Sequence, residues 1–250
     1  METLRRRGDA KRTVANRVSY LLIFLRKYGL ADLIQSSDRP KYTKKIVKVY
    51  SSDQLRRLFA QCDDGQRVLF HFLLGSGCRK AEAISACWQD LDLVAKTYTV
   101  KEKLDLGFSP KDNEERSIPL SDHLLDLLKW WREQNHDVRL IFPGPGGKVD
   151  THIIRKLKRL ALQAGLNCGE CRSRNGESCG TRPICKEWEL HRFRRTFATM
   201  HSAAGVKIDT IARWLGHADL QTTLAYLAAD DDRSEHTRNQ VNVSFANISD

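Results

Sequence analysis

No run of apolar residues in this chain approaches the roughly 20 that a membrane-spanning helix needs. Its start, METLRRRGDAKRT, lacks the apolar core of a secretion signal. No membrane association and a cytoplasmic location are therefore expected. Repeats and low-complexity tracts are missing as well, which excludes solenoid and fibrous designs. With no export signal, the seven cysteines argue for thiols or metal ligands rather than a disulfide framework. Acidic residues are in deficit, 31 against 42 Lys and Arg, for a net charge of +11. That balance points to a polyanionic partner, nucleic acid first. The excess is uneven: residues 1–50 hold 13 basic and four acidic residues, whereas residues 227–250 hold two and five.

What is present suffices for one or two packed domains: 250 residues, 41% of them hydrophobic. Between Thr13 and Tyr28, Val14, Val18, Leu21, Leu22 and Leu25 recur at helical spacing, and Gly29 follows where a C-terminal cap belongs. The stretch QSSDRPKYTKKIVKVY is polar and basic with a proline and reads as an exposed connector. Ser51 three residues before Gln54 announces a capped helix carrying Leu55, Leu58 and Phe59. An apolar segment follows at Val68–Leu74, then a helical stretch near Lys80–Trp88. KTYTV and RSIPL read as short strands flanking a loop. Ser121 precedes the helical set Leu124, Leu127, Leu128 and Trp131, and Ile153, Ile154, Leu157, Leu160 and Ala161 mark a further helix. The predicted fold class is mainly α with one small antiparallel β-sheet (α+β).

Chemistry concentrates near the C-terminal end, in LHRFRRTFATMHSAAGVKIDTIARWLGHADLQTTLAYLA. His191 and Arg194 are three apart and share a helix face, so both can address one anion. His217 follows Gly216, and Tyr226 comes nine residues later, which brings a phenol near an imidazole.

These residues closely resemble the tyrosine recombinases of the phage integrase family, whose His-x-x-Arg motif is followed by Leu-Gly-His and then a nucleophilic Tyr. The family's earlier Gly-x-Arg-x-x-Glu element is matched by Gly77-Cys78-Arg79-Lys80-Ala81-Glu82, and its Trp-x-Asp by Trp88-Gln89-Asp90. Its β-hairpin lysine pattern, Lys-Thr-x-x-x-Arg-x-x-Pro-Leu, is similar to SPKDNEERSIPL, with Asp112 in place of Thr. Lys111 is the best match, with Lys101 and Lys103 nearby on the preceding strand. The resemblance spans about residues 50–230 and rests on several separated motifs in order. It implies a helical catalytic domain with a small sheet, joined by a linker to a helical core-binding domain.

The domain layout expected on this basis is a partial core-binding region at 1–38, a basic linker at 39–50, a catalytic domain at 51–235 with a Cys-rich insertion at 167–186, and a tail at 236–250. The resemblance implies cleavage and rejoining of DNA through a 3′-phosphotyrosine, with Arg79, Lys111, His191, Arg194, His217 and Tyr226 as the catalytic set. A guanidinium stays charged at any ordinary pH and its planar fork grips two phosphate oxygens, so Arg79 and Arg194 suit the charge that a phosphoryl-transfer transition state spreads over its oxygens. A phenol with a pKa near 10 needs a proton acceptor, for which His191 is the candidate, with His217 bonding the phosphate. Lys111 would protonate the leaving 5′-oxygen. No cofactor is needed for this cycle. The expected partners are double-stranded DNA, contacted by Arg39, Lys41, Lys44, Lys45 and Lys48, and further copies of the chain in a tetramer on DNA.

Cys168, Cys171, Cys179 and Cys185 have the spacing C-x2-C-x7-C-x5-C in a Gly-, Ser- and Arg-rich segment directly before His191. Four thiolates can complete a tetrahedral structural zinc site, the alternative being unligated or redox-active thiols. Cys62, Cys78 and Cys87 fall on packed stretches and read as structural. The N-terminal region has room for one or two helices. This keeps open a truncated, non-recombining DNA-binding protein with a zinc loop, and a relaxing or end-resolving enzyme with the same tyrosine chemistry.

Overall fold

The computed structural model describes residues 10–35, 41, 47–111, 114–135 and 137–227. The chain divides between residues 46 and 47 into two compact units. The tail expected at 236–250, and Arg39, Lys44, Lys45 and Asp112, lie outside the described residues.

In the first unit, helix α1 (Lys11–Lys27) buries Val14, Ala15, Val18 and Leu22. It ends at Gly29, whose φ of 70° lets the Leu30 N–H turn back to the Leu25 carbonyl at 2.9 Å. Leu21, predicted on the apolar face, is exposed. The buried stripe is centred toward Ala15, which leaves Leu21 on its opposite edge.

The second unit carries the main core. Its helices α2 (Ser52–Phe59) and α3 (Asp64–Ser76) each start with a reciprocal cap, Ser51 with Gln54 and Asp63 with Gln66. Helix α3 is the central element: Val68, Leu69, Phe70, Phe72 and Leu73 are buried, because an apolar run without amphipathic alternation must be covered on several sides. Each such side chain contributes roughly 1.5–3 kcal/mol through burial. The helical stretch predicted near Lys80–Trp88 is shorter than expected. Helix α4 (Lys80–Ile84) stops at Ser85, and the chain then extends so that Cys87 pairs with Leu140 before a single 3-10 turn at Trp88–Asp90.

Strands β2 (Thr97–Val100) and β3 (Arg116–Pro119) fall on the two predicted segments, and a two-residue strand β1 (Leu91–Asp92) completes an antiparallel sheet in the order β1-β2-β3. Tyr98 faces Ile118 and Val100 faces Arg116 across the ladder. Tyr98 points into the core against Phe72, edge to face at 4.9 Å. Ser121 caps α5 (Asp122–Gln134), and α6 (Ile153–Gln163) buries Ile153, Leu157, Leu160 and Ala161. Helices α7 (Leu190–Ala203), α8 (Ile208–Leu215) and α9 (Leu220–Leu227) close the unit, α7 lying against α3. The architecture is mainly helical with one small antiparallel sheet.

Residues 47–50, read from the sequence as the end of the connector, are packed into this unit. Tyr50 is buried, stacks on Trp188 at 4.7 Å and lies edge-on to Phe193.

Candidate active site

The site is built on two glycine turns. Helix α3 ends at Gly77 with φ 61°, and a Cβ there would come within 2.7 Å of the Phe197 ring and 2.9 Å of Leu215. Only glycine permits both the left-handed turn and this approach to α7 and α8. Helix α8 ends at Gly216, also at φ 61°, where a Cβ would press on the Arg116 guanidinium at 3.1 Å. The first turn delivers Arg79 and the second delivers His217.

Arg79 donates from Nη1 to Glu82 Oε1 at 3.0 Å and from Nη2 to the Gly216 carbonyl at 2.9 Å. Its guanidinium is thereby fixed against the turn that precedes His217. Arg194, fully buried on α7, donates to the Gly77 carbonyl at 2.9 Å and to the Leu215 carbonyl. The two arginines, 115 positions apart in sequence, thus clamp the same pair of turns from opposite ends. Burial first, and then the nearby Arg79 charge, lowers the Arg194 pKa to about 10, which leaves it cationic at neutral pH.

His191 lies one turn before Arg194, and its Nε2 is 2.7 Å from the Tyr226 hydroxyl. The Tyr226 ring sits between two imidazoles, its centroid 5.7 Å from that of His191 and 5.3 Å from that of His217. His217 shares a hydrogen bond from Nδ1 with Thr223 Oγ1 at 2.8 Å, so the second residue of the Thr-Thr pair orients the ring. Burial, followed by the charges of Arg195 and Arg194, pushes the His191 pKa down to about 4. Burial with Arg194 and Arg79 pushes that of His217 down to about 3. Both rings are neutral at pH 7, and a neutral ring keeps one nitrogen lone pair as an acceptor.

Of the three candidate lysines, Lys103 is buried, with Nζ 2.9 Å from Asp90 and over the Phe108 ring, and Lys101 reaches the same carboxylate at 3.4 Å. Lys111 is exposed and lines a cleft of about 480 Å³ together with Arg79, Arg116, Gly216 and His217.

Two residues that belong to the sequence motifs were not singled out from the sequence. Glu82, 1% exposed, accepts from the Arg79 backbone N–H at 2.7 Å, from its guanidinium, and from Arg116 Nη2 at 2.6 Å. Burial alone would raise its pKa, but the Arg116 charge and these hydrogen bonds hold it below the usual carboxylate range. Arg116 also donates from Nε to the Trp214 carbonyl at 2.7 Å. Strand β3, helix α4 and the end of α8 are thereby tied together. Glu82 and Arg116 are positioning residues for Arg79 and the His217 turn.

Among the expected DNA contacts, Lys41 is exposed, and Lys48 is held by Glu187 at 2.9 Å. The four clustered cysteines come together: their sulfurs all lie within 4.8 Å of one another. Cys62, Cys78 and Cys87 are buried and free.

The phage integrase family profile matches residues 48–233. The tyrosine recombinase XerA of Saccharolobus solfataricus is 28% identical over 92% of this chain and 70% of its own length. The tyrosine recombinase XerC of Xanthomonas campestris pv. campestris is 26% identical over 76% of this chain, which spans only 54% of that relative. In fold, the chain is similar to the Tn1549 transposon integrase in complex with transposon right end DNA, with a TM-score of 0.70, 17% identity and coverage of 98% of this chain and 82% of that one. A crystal structure of a XerA recombinase gives a TM-score of 0.60 at 18% identity, over 97% of this chain and 79% of its own. With its ordered motifs folded into one cationic site around a single tyrosine, the chain belongs to the phage integrase family of tyrosine recombinases.

Proposed function

We propose that this chain is a site-specific recombinase that cuts and rejoins DNA strands through Tyr226. The observation that carries the reading is the 2.7 Å contact between the Tyr226 hydroxyl and His191 Nε2 beside two fixed guanidiniums. In the cleavage step the Tyr226 oxygen bonds to phosphorus as the bond to the 5′-oxygen breaks. The phenolic proton passes to His191 Nε2, and the leaving 5′-oxygen takes a proton from Lys111. Arg79 and Arg194 stabilise charge on the non-bridging oxygens, and His217 donates to one of them. Burial, and after it the guanidinium charges, hold the imidazoles neutral; the incoming phosphodiester offsets the second of these, which raises their basicity when the proton must move. The tyrosyl ester conserves the bond energy, and attack by a 5′-hydroxyl from a partner strand reverses the step.

The +11 charge suits double-stranded DNA, and the Tn1549 integrase, similar in fold, was solved with transposon DNA. We assign the basic stretch 39–46 to a DNA-contacting linker between a partial core-binding region at 1–38 and a catalytic domain that begins at Val47 and runs to about residue 235. Exchange between two duplexes requires four strand cuts, and one nucleophilic tyrosine per chain then requires four copies on the DNA. None of the described helices is long and apolar enough to cross a membrane, and a cytoplasmic location fits a DNA substrate.

The test is incubation with a suicide duplex whose nick lets the short fragment bearing the freed 5′-hydroxyl diffuse away. A denaturation-resistant protein–DNA adduct, mapped to Tyr226 by peptide mass, is the expected result. DNA binding without any adduct would reduce the chain to a DNA-binding protein.

A further inference from the structure

We infer that Cys168, Cys171, Cys179 and Cys185 hold one zinc ion, and that this ion fixes the segment leading into α7 with its His191 and Arg194. Cys168 Sγ lies 3.5 Å from that of Cys171, 3.7 Å from that of Cys179 and 3.6 Å from that of Cys185. Four thiolates at about 2.3 Å from a central zinc stand about 3.8 Å apart along the edges of a tetrahedron. A disulfide requires about 2.05 Å, and none of the four is oxidised. An all-sulfur set favours zinc over magnesium or calcium, which take oxygen ligands.

The surroundings are organised as a ligand site needs. The Lys186 backbone N–H donates to Cys171 Sγ at 3.3 Å, and such N–H groups stabilise a thiolate. The Cys179 N–H bonds the Cys171 carbonyl at 3.0 Å, and Asn167 Nδ2 bonds the Cys179 carbonyl at 2.7 Å, so the backbone brings the separated cysteines into register. Cys179 and Cys185 are fully buried, while Cys168 is exposed and Cys171 half-buried. A Gly-, Ser- and Arg-rich loop of this length has no apolar core of its own, and a metal cross-link supplies the missing stabilisation.

The consequence reaches the active site through a short path. Three residues after Cys185, Trp188 stacks on Tyr50 and donates to the Leu166 carbonyl at 3.2 Å. The Tyr50 hydroxyl donates to the Glu189 carbonyl at 2.9 Å and accepts from the Glu189 N–H at 3.0 Å, at the N-cap of α7. Glu187 accepts from Lys48 at 2.9 Å and from Arg192 on α7 at 2.7 Å. The lead-in to α7 is therefore gripped on one side by Lys48 and Tyr50 and on the other by the cysteine cluster. Releasing the ion frees one of the two grips six residues before His191.

The experiment uses the full chain purified without chelator. Elemental analysis is expected to give about one zinc per chain, and cobalt exchange to give thiolate-to-metal charge-transfer and tetrahedral d–d bands. The double variant Cys168→Ser/Cys171→Ser, which spares the two buried ligands, should lose the ion and keep its helical circular dichroism, while Cys62→Ser keeps the ion. Hydrogen exchange of the metal-free protein should rise in residues 186–194 and stay unchanged in α3. Zinc near zero without cobalt bands, acid-labile sulfide with visible absorption, or full zinc in the double variant would each overturn the site. Unchanged exchange at 186–194 would overturn its coupling to α7. Neither readout depends on strand cleavage, so failure here is distinguishable from failure of the recombinase reading.

Discussion

Glu82 and Arg116, brought together from helix α4 and strand β3, form a buried ion pair at 2.6 Å whose carboxylate also holds Arg79. Removing one partner of such a pair strands a charge in a low dielectric and costs about 3–5 kcal/mol. Glu82→Ala is therefore expected to lower stability by that order in urea unfolding. Glu82→Gln keeps one acceptor and should lose less stability, yet slow cleavage because Arg79 is no longer held by charge. Equal, near-wild-type cleavage in both variants would show that Arg79 positions itself.

Only the Tyr226 hydroxyl oxygen attacks phosphorus in the proposed step. Tyr226→Phe should remove all covalent adduct while DNA affinity, measured by fluorescence anisotropy, stays within about threefold of wild type. The variant also loses the contact to His191, a hydrogen bond worth about 1 kcal/mol. An undiminished adduct would remove Tyr226 from the mechanism.

Lysine cannot reproduce either arginine fork. Arg79→Lys and Arg194→Lys should each slow cleavage by about 10²–10³-fold with a much smaller loss of binding. Arg194→Lys should in addition lower the unfolding midpoint, because Arg194 donates to two buried carbonyls, Gly77 and Leu215. Single-turnover cleavage at wild-type rates in both variants would make these arginines purely structural.

His191, Arg194, His217 and Tyr226 were picked out in the sequence by their helical spacing together with the resemblance to the family's His-x-x-Arg and Leu-Gly-His motifs. Arg79 was legible only through the resemblance of Gly77–Glu82 to the family's Gly-x-Arg-x-x-Glu element. The roles of Glu82 and Arg116 were not, since they depend on a contact across 34 residues that only the sheet and α4 together create. The choice among Lys101, Lys103 and Lys111 was also open in the sequence. In the structure Asp90 engages Lys101 and Lys103, while Lys111 lines the cleft. Tyr50 was hidden in a polar, basic stretch because its packing partner, Trp188, lies beyond the cysteine loop. Strand β2 was legible because Thr97–Val100 is made of β-branched and aromatic residues, whereas β1 is too short to leave a pattern.

Acid should weaken the fold through its neutral histidines. His191 and His217 are held to about 4 and about 3, and His71, also mainly by burial, to about 4, against an unfolded value near 6.5. The unfolded chain thus binds more protons between these values, so stability rises with pH across that window and falls as pH drops from about 6.5 toward 4. Urea midpoints at several pH values should show this slope, and His217→Asn should remove up to about one proton of it. A midpoint independent of pH over that range would contradict the burial of these rings.

DNA affinity should fall steeply with salt, because cationic side chains that contact phosphates release condensed counterions. The basic stretch at 39–50 is where the charge excess is concentrated, but its members are not equivalent. Lys48 is held by Glu187, which Arg192 also engages, so reaching a phosphate would cost Lys48 that partner. Lys41 is exposed. Each residue that touches one phosphate contributes roughly one unit to the slope of log affinity against log salt. Neutralising Arg39, Lys41, Lys44 and Lys45 together should therefore flatten the slope by several units, whereas Lys48→Gln alone should change it by less than one. The Lys48 variant should instead show faster hydrogen exchange near Glu187. If the fourfold variant keeps both slope and affinity, the stretch is only a tether and the phosphate contacts lie on the catalytic unit around the Arg79 cleft.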